Sequence, residues 1–462
     1  MHLSSLKLTN FKKFKNITID LEKKIIVLVG PNSVGKTSII KSILALKQTF
    51  SIENESDVFL ARGSLVDLGT YGDYIHNHEQ ENDFSYEGEI AIPSKSFGSL
   101  LDAPVDKINF TINYSFDAES DQACLTNILF DIHSAHNKAS FNVRGKKTAR
   151  AGRNSREYTI DVNDLNNISK NSFFIDIFEQ SRRKAIGAKK RIYRISDKFN
   201  FEAVTDNISD AIYSRFIFTL FDELMKTVKV CIDDNFTYIG PLREKPARYN
   251  VRNSQIRYVG ASGENTASVL TNLFSHNKEK QKFNQINRDF QELLSKEIIV
   301  KRADELTKIR IREADSDREE SISDVGFGIS QILPILTQAN ILNSGQRLIL
   351  EQPELHLHPE IQTKLASILL GSRGLARKYL IETHSEHLIR GLQLAVHRSG
   401  KIGAEPTISN KDVDILYINE NEIGEAVIKK MRLDDKGDLI DKWPPGFFDQ
   451  AYKFTMQMLA EK

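Results

Sequence analysis

Read by polarity alone, the chain divides into stretches with different periods. Residues 1–50 alternate apolar and polar positions before running into Ile25-Ile26-Val27-Leu28-Val29, an unbroken apolar run with the length of a buried strand. Beyond it, Thr37-Ser38-Ile39-Ile40-Lys41-Ser42-Ile43-Leu44-Ala45-Leu46 gathers its apolar residues on one side of a helix. From about 51 to 320 the pattern is mixed. The alternating segments 86–92 and 108–116 predict strands, a stretch near 208–230 predicts a helix, and polar, basic segments lie between them. From about 320 to 420 the α/β pattern returns. Arg347-Leu348-Ile349-Leu350 and Lys378-Tyr379-Leu380-Ile381 read as short buried strands separated by a helix near 358–371. The expected division is therefore two α/β pieces, 1–80 and 321–420, around a mixed α/β middle region at 81–320, with a tail at 421–462. No internal repeat and no sustained heptad pattern is visible, which argues against long coiled-coil arms.

Composition narrows the class without naming it. The chain has 462 residues, 40% hydrophobic and 27% charged, with a formal net charge of +1. These are the proportions of a soluble globular protein rather than a polycation, although a neutral total can hide a basic face. Two cysteines, Cys124 and Cys231, do not make a disulfide framework. No apolar run reaches the roughly 18 residues of a membrane span, and the N-terminus is patterned like a strand rather than a signal peptide. The expectation is a cytoplasmic protein with no membrane partner.

The chemistry begins at Gly30-Pro31-Asn32-Ser33-Val34-Gly35-Lys36-Thr37, an ungapped match to G-x-x-x-x-G-K-[ST]. Glycines let main-chain N–H groups turn inward around phosphate oxygens, and the helix N-terminus adds favourable partial charge. Strand, glycine loop and helix are the context such a loop requires. Lys36 would reach the β- and γ-phosphates and the Thr37 hydroxyl would ligate Mg²⁺. Asn32, Ser33, Gly35 and Ser38 complete this group of candidate nucleotide contacts.

Three further segments carry chemistry. In Leu348-Ile349-Leu350-Glu351-Gln352-Pro353-Glu354-Leu355-His356-Leu357-His358, an apolar strand ends in Glu351, a hard oxygen ligand for Mg²⁺ on a rigid support. Gln352 follows, and an amide orients water without accepting its proton. His356 and His358, two apart, diverge on either a strand or a helix, so joint metal ligation needs a special loop. Tyr379-Leu380-Ile381-Glu382-Thr383-His384-Ser385 delivers His384 from the end of a second strand, where it could sense or polarise a γ-phosphate. In Ser323-Asp324-Val325-Gly326-Phe327-Gly328-Ile329-Ser330-Gln331, glycines and a serine open an apolar helix, a second anion-binding helix N-terminus. One phosphate loop needs no second within the same subunit, so Gly328 and Ser330 are candidates to address a nucleotide held by a partner copy.

The order of these motifs resembles the ABC-type AAA ATPases related to SMC, RecF and OLD proteins. Tyr238-Ile239-Gly240-Pro241-Leu242-Arg243-Glu244, Gly263-Glu264-Asn265 and the terminal Trp443-Pro444-Pro445-Gly446-Phe447-Phe448-Asp449 further resemble a bacterial subfamily of ATPases often found in anti-phage defence loci, of the kind seen in Septu and PARIS systems. The resemblance covers about 1–80 and 320–450 well and the centre only at islands. It implies an α/β P-loop ABC-type ATPase fold with an inserted middle domain, and ATP and Mg²⁺ as cofactors. Two subunits would come together with each signature loop closing the other's P-loop, as a homodimer or higher oligomer. Lys36, Thr37, Glu351, His384 and Ser330 take the family roles. Gln352 departs from the family, which usually places a water-polarising glutamate there; Glu354 and His384 are the nearby substitutes, so hydrolysis is expected to be slow. The segment around His356 and His358 would touch the partner subunit.

Two basic stretches, Arg144–Arg156 and Arg182–Arg194, could neutralise nucleic-acid phosphates or form solvated faces. Asp434, Asp435 and Asp438 sit in a polar segment that reads as a solvated turn rather than a two-metal nuclease site. The expected function is an ATP-dependent switch for a partner effector such as a nuclease. Its rivals are a RecF- or SMC-type ATPase acting on DNA, a non-hydrolysing ATP-dependent scaffold and, least suited, a P-loop kinase.

Overall fold

A computed structural model describes residues 1–50, 58–93, 104–135, 137–150, 153–164, 193–196, 200–203, 208–251, 253–303, 305–313, 316–370, 377–399, 408–444, 447–448 and 457–459. In chain order the N-terminal half contains β1 (His2–Phe11), β2 (Phe14–Asp20), β3 (Ile25–Val29), α1 (Lys36–Thr49), α2 (Tyr71–Tyr74), β4 (Phe84–Ala91), β5 (Lys107–Asp117) and β6 (Gln122–Ser134). β7 (Asn137–Arg150), β8 (Arg153–Asn163), β9 (Tyr193–Ser196), β10 (Asn200–Ala203) and α3 (Ile208–Asp233) follow. The C-terminal half opens with β11 (Phe236–Ile239), β12 (Asn250–Val251), α4 (Thr266–Ser275), α5 (Lys280–Leu294), β13 (Lys296–Ala303), β14 (Leu306–Glu313) and β15 (Glu319–Ser321). It closes with α6 (Phe327–Ile341), β16 (Arg347–Glu351), α7 (Pro359–Leu370), β17 (Lys378–Glu382), α8 (Glu386–Ser399), β18 (Val413–Glu420) and β19 (Ala426–Met431). The fold is mixed α/β with several sheets, as the periodicities predict.

Two compact units divide the chain. The first comprises Met1–Glu22, Ser38–Asn235 and Glu420–Val427. It holds a nine-stranded sheet ordered β10-β9-β8-β7-β6-β5-β4-β1-β2, antiparallel throughout. Strict alternation in β5 turns Ile108, Phe110, Ile112 and Tyr114 to the buried side. There Phe59, Phe84 and Tyr114 pack as an aromatic group, with the Phe84 and Tyr114 rings stacked at 5.2 Å. Of the basic residues in the two stretches, the structure describes the side chain of Arg144 alone, which is exposed; the remaining residues, or their side chains, lie outside what is described.

The second unit comprises Lys23–Thr37, Phe236–Asn419 and Ile428–Lys462. Its main sheet is ordered β11-β16-β17-β3-β18-β19, and β11 to β18 run parallel. β3 and β16 are buried at every position, as strands covered on both faces must be, and this explains their continuous apolar runs. Because the strands are parallel, Glu351, Glu382 and Val29 all end at one edge, the edge where open α/β sheets bind ligands. α6 is buried from Ser330 to Ile341 and carries Pro334 within it. The tail also packs in this unit. Trp443, Phe447 and Phe448 lie against its core, with Trp443 6.4 Å and Phe447 5.1 Å from the Tyr417 ring of β18. Asp434 is spent on a turn, its Oδ1 accepting the N–H groups of Lys436 and Asp438. No helix among the described residues is long and apolar enough to cross a membrane.

Candidate functional site

The second unit brings the sequence-derived motifs to the carboxyl edge of the parallel sheet. Residues 30–35 leave β3 and turn into α1 through positive φ angles at Gly30 (146°), Ser33 (62°) and Gly35 (107°). Gly30 is required by close approach, since a Cβ there would stand 2.1 Å from the Ile418 carbonyl oxygen on the neighbouring β18. Asn32 and Ser33 are exposed, Gly35, Thr37 and Ser38 are half-buried, and Lys36 is only 3% exposed. The Lys36 ammonium donates to the Gly30 and Pro31 carbonyl oxygens. Burial lowers its pKa and the nearby Glu382 charge opposes that shift. A buried ammonium met by main-chain dipoles fits a phosphate partner.

Two carboxylates stand in register at the tips of adjacent parallel strands, Glu351 opposite Glu382. Glu382, 3% exposed, accepts the Thr37 hydroxyl on Oε1 at 2.9 Å. Glu351, 7% exposed, accepts the Tyr238 hydroxyl on Oε1 at 3.0 Å. The donors Thr37, Glu351 and Glu382 are hard oxygens suited to Mg²⁺. Among the described residues no three His, Cys, Asp or Glu side chains converge as a metal cage. Mg²⁺ commonly completes its shell from phosphate oxygens and water rather than from such a cage, so this donor set fits the ion.

Beyond Glu351 the chain makes a tight turn. Gln352 has φ 44° and its N–H donates to the Glu382 carbonyl oxygen at 2.8 Å. Arg243, 5% exposed, donates through Nη2 to the Glu351 and Gln352 carbonyl oxygens at 3.1 and 3.4 Å. Burial depresses its pKa to about 10, against the opposing charge of Glu354. Glu354 is itself buried, and burial raises its carboxyl pKa although it accepts the His384 N–H at 2.8 Å. The His384 side chain is exposed. Partial burial and the Lys36 charge lower its pKa, which favours the neutral imidazole. Ser385 supports this segment by accepting the Leu388 N–H at the start of α8 and donating to Gln362 Oε1 at 2.6 Å.

The glycine segment that opens α6 lies beside the loop after Gln352. A Cβ on Gly328 would come within 2.7 Å of the His356 carbonyl oxygen, and the Phe327 ring meets His356 edge-on at 4.7 Å. Ser330 is turned inward: it is 3% exposed and donates to the Phe327 carbonyl oxygen at 2.7 Å. The face this segment presents is therefore made by Gly326 and the 47% exposed Phe327. His356 and His358 are both exposed.

The profile of the AAA ATPase domain family matches residues 1–389. The chain belongs to the AAA ATPase domain family. A second family, described as a protein of unknown function (DUF3696), matches residues 408–458, the segment that carries the Trp443 cluster. This AAA ATPase domain is also similar over short stretches to DNA replication and repair proteins RecF. The Oenococcus oeni protein is 37% identical over 57 residues, 12% of this chain and 15% of that protein. The Clostridioides difficile protein is 34% identical over 74 residues, 16% of this chain and 20% of that protein. The chain thus spans a fifth or less of the length of these two relatives. Among solved structures it is similar to an SMC head bound to the C-winged helix domain of ScpA, with TM-score 0.44, 10% identity and coverage of 94% and 99% of the two chains. It is also similar to the SMC head domain from Thermotoga maritima, with TM-score 0.38, 11% identity and coverage of 94% and 100%.

Three residues of the site lie in segments quoted from the sequence but were given no role there. Glu382 ends an apolar strand just as Glu351 does, and the same pattern could have found it, but His384 two residues later drew the reading. Tyr238 and Arg243 are far from the motifs in the chain, and only the strand order brings β11 beside β16.

Proposed function

We propose that this AAA ATPase domain is an ATP-binding, slowly hydrolysing ABC-type ATPase whose nucleotide-dependent association with a second copy controls a partner protein. One observation carries the reading: buried Lys36 and the Thr37–Glu382 pair stand beside Glu351 at the carboxyl edge of a parallel sheet, inside a family-matched chain. Lys36 would exchange its carbonyl partners for β- and γ-phosphate oxygens. Bound Mg²⁺ would be held by Thr37 and the strand-tip carboxylates and would neutralise phosphate charge. Neutral His384 would contact the γ-phosphate region, and Gln352 would orient water without taking its proton. Gly328 and the α6 N-terminus would face the nucleotide of the second copy, with Phe327 and His356 at that surface. The effector reading, a nuclease or toxin in anti-phage defence, rests on the motif resemblance at Tyr238–Glu244 and the Trp443 segment.

A second reading, a DNA-repair or chromosome ATPase, is favoured by the RecF-like stretches. DNA-stimulated hydrolysis would support that reading over the effector switch.

The test of slow hydrolysis is steady-state phosphate release by the parent and Gln352→Glu. A positioned base contributes about 10²–10⁴-fold, so the variant should be faster by tenfold or more. A fast parent slowed by Gln352→Glu would sink the reading.

A further inference from the structure

We propose that Glu382 is the carboxylate that directs the Thr37 hydroxyl toward the nucleotide's divalent cation, ahead of Glu351; the inference rests on the nucleotide-binding reading of the P-loop. Strand order is the first argument. β17 lies directly beside β3, whereas β16 lies one strand further out. At about 4.8 Å per strand, Glu382 stands one spacing from the P-loop strand and Glu351 two. Register is the second. Glu382 pairs with Leu28 on one side and Glu351 on the other, so its side chain emerges between the P-loop and the outer carboxylate.

The side-chain chemistry agrees. Thr37 donates its proton to Glu382 Oε1 at 2.9 Å, which leaves the hydroxyl lone pairs to a cation. Glu351 uses Oε1 to accept from Tyr238 on the far side, at 3.0 Å. Glu382 also shares the site with the Lys36 charge, which compensates a carboxylate that is 3% exposed. Its main-chain oxygen holds the Gln352 N–H at 2.8 Å, so the same residue fixes the turn after Glu351. A glutamine at 382 would still accept the Thr37 hydrogen bond through its amide oxygen but would carry no charge, which separates cation binding from local structure.

The experiment is binding of a fluorescent ATP analogue in EDTA and then at rising Mg²⁺, for the parent, Glu382→Gln and Glu351→Gln. Glu382→Gln should keep its metal-free affinity within about threefold of the parent while needing at least about tenfold more Mg²⁺ for half-maximal enhancement. Glu351→Gln should shift that requirement less. A parental Mg²⁺ requirement in Glu382→Gln, or a larger shift in Glu351→Gln, overturns the assignment. Should Glu382→Gln not fold, Glu351→Gln carries the test alone, and a Mg²⁺ requirement raised about tenfold or more there overturns the assignment equally. A parent no better than Lys36→Ala at binding the analogue overturns the P-loop reading itself, a result distinct from loss of Mg²⁺ sensitivity alone.

Discussion

Replacing Arg243 should loosen the turn that follows Glu351 more than its distance from the P-loop in sequence would suggest. The guanidinium is 5% exposed and gives Nη2 to two carbonyl oxygens, at 3.1 Å to Glu351 and 3.4 Å to Gln352. A hydrogen bond from a charged donor contributes about 1.5–3 kcal/mol, the longer contact less. Against this, Nε and Nη1 make no hydrogen bond among the described residues, so removing the side chain also relieves some desolvation. The net expectation for Arg243→Ala is a loss of about 2–4 kcal/mol. With a urea slope of about 2 kcal/mol per molar, the midpoint should fall by roughly 1–2 M. Trp443 is the only tryptophan in the chain and packs against the core of the same unit, so its fluorescence reports this unit's unfolding. Arg243→Met keeps the bulk and should remain well below the parent. Arg243→Lys should recover less than half of the loss, because a point charge cannot reproduce the planar fork. A midpoint for Arg243→Ala within about 0.3 M of the parent would refute the clamp.

Two further outcomes follow from burial and exposure. Burial raises the Glu354 carboxyl pKa, so the folded chain holds that proton to higher pH than the unfolded chain does. Stability should therefore fall as pH rises from the unfolded carboxyl range, about 4.3, through the raised value, and level off above it. Glu354→Gln should lose this slope in urea midpoints measured from pH 4 to 8, and parallel curves for variant and parent would count against it. Phe327, 47% exposed beside His356, is the place to test self-association, since a substitution at buried Ser330 would disturb packing instead. Phe327→Arg should leave folding intact and abolish ATP-dependent association in sedimentation; an unchanged ATP response would remove this face from the interface.

Much of the second unit was legible because its signals are local. The apolar runs at 25–29, 347–350 and 378–381 are strands buried on both faces; in the first unit the alternation at 108–116 is likewise local, a strand with one buried side. The phosphate loop was legible for the same reason, since its glycines, lysine and threonine are contiguous. What stayed hidden depends on strand order. Nothing near Glu382 in sequence says that β17 sits between β3 and β16, and that placement alone sets its carboxylate against Thr37. Arg243 stands in a segment quoted for its resemblance, but its burial beside Glu351 follows only from the pairing of β11 with β16. Ser330 reads as a ligand from its place at a helix start, and in the single chain its hydroxyl donates to the Phe327 carbonyl oxygen of its own helix.

The central claim is that residues 30–37 bind ATP through Lys36, and calorimetric titration of the parent and Lys36→Ala with ATP and Mg²⁺ tests it most directly. Loss of a charge-assisted phosphate contact costs about 1.5–3 kcal/mol, so Lys36→Ala should bind at least about tenfold more weakly while keeping the parental urea midpoint to within about 0.5 M. Equal affinity in the two proteins, or no ATP binding by the parent, would contradict it.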